Sequence, residues 1–96
     1  MSLEKRDDAT DYLTSDELSR SIARTCLSGM STEKIVSEVI NYYSRKDIGV
    51  DADDVRSRIA SRLQNMERLG ILTYDNLLWK TTEKAKAVLR KYFGLA

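Results

Sequence analysis

The sequence predicts a small α+β domain, mostly helical, in the order helix, helix, helix, hairpin, helix. Apolar residues recur at helical spacing in four separate stretches, and a capping residue or a glycine punctuates each one. Two short β-prone runs flank Asp75-Asn76, between the third stretch and the fourth. A length of 96 residues leaves room for one hydrophobic core.

The first helix is expected to start at Thr14. Thr14-Ser15-Asp16-Glu17 reads as a capping box, its hydroxyl and its carboxylate each accepting from an orphan backbone N–H. Leu18, Ile22, Ala23 and Cys26 then share a face, Arg20 and Arg24 point away from it, and Ser28-Gly29 stops the helix. Ser31 is the expected N-cap of the second helix, with Ile35, Val36, Val39, Ile40 and Tyr43 as its stripe. Arg45-Lys46 complement the negative end of its dipole. In the connection that follows, Ile48 and Val50 are expected to turn into the core.

Asp51 caps the third helix and Asp53-Asp54 occupy its first turn, where the dipole favours negative charge. Val55, Ile59, Leu63, Met66 and Leu69 hold one face, and Gly70 closes it. The opposite face carries Asp53, Ser57, Ala60, Ser61, Gln64 and Arg68, flanked by Arg56 and Arg58. Residues 71–74 and 77–81 form the hairpin, with Asp75-Asn76 as a two-residue turn of positive φ. That register pairs Tyr74 with Leu77 and Leu72 with Trp79, so the four share a face. Thr81 or Thr82 caps the last helix, whose apolar side is Ala85, Val88, Leu89, Tyr92 and Phe93. Residues 1–13 are then an acidic N-terminal extension, partly disordered or dimer-forming, ahead of a domain over 14–96.

Composition narrows the function. Apolar residues make up 42% and charged ones 32%, the balance of a globular chain and not of a disordered or membrane one. No apolar run could span a bilayer, and residues 1–12 lack the apolar core of a signal peptide, so a cytoplasmic location is expected. Cys26 is the only cysteine and is expected to be a buried structural thiol. The chain has no histidine, which removes the commonest general base and the commonest transition-metal ligand together. Asp47, Asp51, Asp53 and Asp54 lack the ligand spacing of a calcium loop and are read as helix caps. The expectation is therefore no enzyme, no cofactor and no metal. Net charge is only +1, but unevenly spread: residues 1–17 carry −4 and residues 80–96 carry +4. A basic tail suits an anionic partner.

The stretch "VRSRIASRLQNMERLGILTYDNLLWKTTEKAKAVL", from Val55 to Leu89, resembles the winged helix-turn-helix regulators of archaea and bacteria. Their recognition helix ends in Leu-x-x-Leu-x-x-x-Gly-Leu-Ile; a hairpin and then Tyr-x-Leu-Thr-x-x-Gly follow. Leu63, Met66, Gly70, Ile71 and Leu72 fit the first part, and Trp79, Thr82 and Ala85 stand in the second. The chain departs from the pattern in four places, one of them a loop before the third helix that is longer than a strict helix-turn-helix turn. Ala85 replaces a glycine, the hairpin tip Tyr74-Asp75-Asn76 has no cation, and Asp51, Asp53 and Asp54 crowd the start of the recognition helix.

The resemblance implies a sequence-specific double-stranded DNA-binding protein acting in transcription regulation. Residues 52–69 would lie in the major groove and residues 71–81 would form the wing. Arg56, Ser57, Ala60, Ser61 and Gln64 would read bases: arginine a guanine, Gln64 an adenine, Ala60 a thymine methyl. Ser31, Thr32, Lys34, Arg58, Arg68, Asn76 and Lys80 would hold phosphate or form the wing contact. A homodimer is expected, because one recognition helix reads few base pairs. Its interface would draw on Leu3, Tyr12, Leu13, Val88, Leu89, Tyr92 and Phe93, with the acidic head of one chain facing the basic tail of the other. The alternative is a winged-helix protein-interaction module in a larger complex, which the acidic cap and uncharged tip suit.

Overall fold

Asp7 takes an extended conformation and its carboxylate accepts from the Thr10 amide at 2.8 Å, starting a helix where none was expected. Residues 7–94 are described by the computed structural model. They form α1 (Asp8–Ser15), α2 (Glu17–Thr25), α3 (Thr32–Arg45), α4 (Ala52–Arg68), β1 (Leu72–Asp75), β2 (Leu78–Thr81) and α5 (Glu83–Phe93). The architecture is α+β: five helices and one two-stranded antiparallel hairpin.

The extra helix corrects the expected start at Thr14. Ala9 and Leu13 lie one turn apart on α1, and both are buried with Thr10 against α2 and α5. Thr14 is thereby used up inside α1, where its hydroxyl donates to the Thr10 carbonyl at 2.8 Å. Asp16 becomes the N-cap position of α2, so no capping box forms. Arg20 bolts the three helices together. Its guanidinium donates to the Leu13 and Thr14 carbonyls at 3.0 and 3.1 Å, satisfying the C-terminal end of α1, and lies 4.5 Å from the centre of the Phe93 ring.

This docking also corrects part of the expected dimer surface. Leu13 and Leu89 are 0% exposed and Val88 8%, all enclosed by their own chain. Tyr12 and Phe93 pack half-buried on the same core, and only Tyr92, at 39%, stands well exposed; Leu3 lies outside the described residues. Acidic head and basic tail meet within one chain. The Asp7 carboxyl is held below its ordinary value chiefly by the Thr10 amide and hydroxyl, with the charge of Lys84 on α5 assisting.

The remaining caps follow the sequence. Ser31 accepts from the Lys34 amide, Asp51 from Asp53 and Thr82 from Ala85. Gly70 takes φ 76°, and the Ile71 amide reaches back to the Met66 carbonyl at 2.8 Å, ending α4 with Ile71 buried. Val55, Ile59, Leu63 and Met66 are buried against α3 and the hairpin. Cys26 is 0% exposed, and burial pushes its thiol up to about 12, so it is an inert core group.

The hairpin turns one residue later than expected. Asn76 and Leu77 take φ 51° and 64°, and the pairs are Leu72 with Thr81, Thr73 with Lys80, Tyr74 with Trp79 and Asp75 with Leu78. Moving the turn by one residue shifts both strands together, so side-chain parity survives. Leu72, Tyr74 and Trp79 still share a face, joined by Thr81 in place of Leu77. The observed register stacks the Tyr74 and Trp79 rings at 4.5 Å and lets Met30 exchange two backbone hydrogen bonds with Trp79, at 2.9 and 2.8 Å.

Ile48 and Val50 do not turn inward; they are 47% and 39% exposed. Asp47, at φ 60°, closes α3 as the Ile48 amide donates to the Tyr43 carbonyl at 3.0 Å, and the chain then runs along the surface. Among the described residues, no helix is long and apolar enough to cross a membrane.

Candidate nucleic-acid interface

Four turns of α4 bury Val55, Ile59, Leu63 and Met66, which turns Ser57, Ala60, Ser61 and Gln64 to solvent on the other side. All four are exposed, as are Arg56, Arg58 and Arg68 beside them. The Arg68 guanidinium donates to the Asn65 amide oxygen at 2.9 Å, which keeps it along the end of this face. The centre of the face is small and uncharged; its flanks are cationic. Such a surface can approach a base edge closely while arginines reach outward.

The N-terminus of α3 ties this face to the hairpin. Glu33 accepts from Arg56 of α4 at 3.0 Å, and one residue earlier the Thr32 hydroxyl accepts from the Trp79 indole N–H at 2.9 Å. Candidates from two elements therefore share one region, Arg56 on α4 with Ser31, Thr32 and Lys34 on α3, whereas Lys80 lies on the face of β2 opposite Trp79. Lys34 and Lys80 are exposed. Asn76 sits at the hairpin tip with positive φ, away from the base of the hairpin where Trp79 joins α3. Thr32 spends its hydroxyl on Trp79, and the Ser31 side chain is engaged as the cap of α3. Their contribution to an anion would thus come from the helix terminus and not from free side chains.

Charge at the site is mixed. Arg56 sits between Glu33 and Asp53, at 3.0 and 3.7 Å. These pairs are solvent-exposed and hence weak, so an incoming phosphate or guanine can displace them. Asp51, Asp53 and Asp54 stabilise the start of α4 through its dipole and make that end of the face acidic. Among the described residues no cluster of three metal-binding side chains occurs.

Sequence reasoning missed two groups. Glu33 was not foreseen as the partner of Arg56, and Arg62 was not foreseen on Asp16, which it meets at 3.0 Å. Neither pair leaves a local signal, since the partners lie 23 and 46 residues apart. The exposed Leu77 was missed for another reason: the expected register had paired it on the packed face, whereas it stands in the turn. Comparison with protein-family models, with curated proteins and with solved structures finds no match for the chain.

Proposed function

We propose that this chain is a winged-helix protein that binds double-stranded DNA in a sequence-specific way, as a regulator of transcription and not as an enzyme. In this reading α2, α3 and α4 form the helical core, β1 and β2 are the wing, and Met30 supplies the short third strand beside β2. The observation that carries it is the continuity of the exposed α4 face with the α3 N-terminus and the hairpin base, through Arg56–Glu33 and Trp79–Thr32. Gln64, Ser61, Ala60, Ser57 and Arg56 would meet base edges, while Lys34, Arg58, Arg68 and Lys80 would meet the backbone.

A second reading, a protein-docking module within a larger assembly, is favoured by the apolar wing tip, where Leu77 is 74% exposed. Titration of labelled random-sequence duplex at two salt concentrations separates the two. A DNA-binding protein loses affinity steeply as salt rises, because each phosphate contact releases counterions. No binding even at the lowest salt overturns the DNA reading in favour of the second.

A further inference from the structure

Five of the six large apolar side chains that stand exposed among the described residues fall in two places. Leu77 and Leu78 project as a knob at the hairpin tip, with Tyr74 on the opposite face of the strands against Trp79; Ile48 and Val50 rim a groove between α2, α3 and α4. The knob carries a conformational oddity. Leu77 sits at φ 64°, a turn position that glycine fills without penalty and leucine does not, yet at 74% exposure its own chain gives little packing in return. Residues held in such sparsely populated backbone regions cluster at functional sites.

The groove has the matching shape. Its floor includes Leu18, Val39 and Ile59, and its volume is ≈ 290 Å³. Pockets that enclose small molecules run from roughly 300 to 1,000 Å³; this one, at the bottom of that range, has room for a side chain or two. Charges match as well. Asp75 at the tip and Lys80 further along β2 lie on the hairpin face that carries Leu78, and the groove is edged by Arg58 together with Asp51 and Asp54. Setting Asp75 toward Arg58 and Lys80 toward the two aspartates selects one orientation.

From this fit we infer that the hairpin tip of one copy of the chain seats in the α3–α4 groove of a second copy. In a closed pair a two-fold axis makes this contact twice, whereas the same contact repeated head to tail would add further copies. The contact is small, which makes the dimer weak and concentration-dependent. It draws on Arg58 and Lys80 but on none of Ser57, Ala60, Ser61 and Gln64; it does not rest on DNA binding and is tested without DNA.

Sedimentation equilibrium from micromolar to millimolar protein is the experiment. The mass is expected to rise from 11.0 kDa toward twice that value and no further. Leu77→Gly should weaken association about tenfold or more, as loss of a central anchor does, without lowering the thermal midpoint. Ile48→Ser should weaken it similarly, and an equimolar mixture of the two variants should regain one of the two contacts. Asp75→Arg and Arg58→Asp should each weaken association, and the double variant should recover it. A mass fixed at 11.0 kDa throughout overturns the inference, and so does Leu77→Gly associating like the parent chain. Ile48→Ser that still dimerises would mean that tips pair with tips, and growth beyond two copies would rule out the closed pair.

Discussion

Asp16 stands at the break between α1 and α2, where its carboxylate accepts from the Ser19 hydroxyl at 2.5 Å and from the Arg62 guanidinium at 3.0 Å. Partial burial pulls its pKa up, but the Ser19 and Arg62 hydrogen bonds and the Arg62 charge outweigh that, and the net shift is downward from 3.8. A carboxylate depressed in the folded state stabilises above its unfolded pKa and loses that contribution as pH falls through the folded value. Asp16→Asn should therefore cost about 1 kcal/mol at neutral pH, a charge-assisted bond discounted for partial exposure. The gap in urea midpoint between parent and variant should close at a pH below 3.8. An unchanged gap in acid would exclude the ion pair as its source.

Among the elements, the hairpin depends most on its surroundings, since two strands alone are marginal in water. Trp79 anchors it. The residue is 9% exposed, its ring lies 4.5 Å from that of Tyr74, and its backbone and indole N–H bind Met30 and Thr32. Trp79→Ala should cost about 3–5 kcal/mol, as for large buried aromatics. Thr32→Val keeps the volume and removes the acceptor, for about 1–2 kcal/mol. Denaturant midpoints for both variants test this; equal losses would mean that the indole hydrogen bond, and not packing, holds the hairpin. At the other end of the chain α1 is equally dependent, because Arg20 and the buried Ala9 and Leu13 fasten it to α2 and α5.

Taken whole, the molecule presents two unlike surfaces: the polar α4 face with its arginines, and the apolar pair of hairpin tip and groove. On the proposed DNA reading, Arg56→Ala and Gln64→Ala should change which sequence is preferred, whereas Lys34→Ala and Lys80→Ala should weaken all sequences alike. Glu33→Gln adds a test that only the fold suggests. It releases Arg56 from its 3.0 Å partner and should raise affinity for every duplex. A binding screen over a randomised duplex pool decides. Equal, sequence-independent losses for all four alanine variants would remove α4 as the reading element.

The sequence by itself determined α3 and α4, the caps at Ser31 and Asp51, the cap of α5 to within one residue, the stop at Gly70 and the presence of a hairpin. Each of these is set by hydrogen bonds and periodicity within a few residues, and such signals are written locally. The exposed face of α4 was legible for the same reason, as the complement of its buried stripe. Tertiary structure alone decided α1, whose short run over residues 8–15 gains its stability from burying Ala9, Thr10 and Leu13 on α2 and α5. It decided the turn at Asn76-Leu77, because the backbone bonds of Trp79 to Met30, 49 positions earlier in the chain, hold β2 in register. It also decided which charges pair. The ion pair of Arg62 with Asp16 and, among neutral groups, the hydrogen bond of Trp79 to Thr32 span 46 and 47 residues, distances over which no local pattern in a chain carries information.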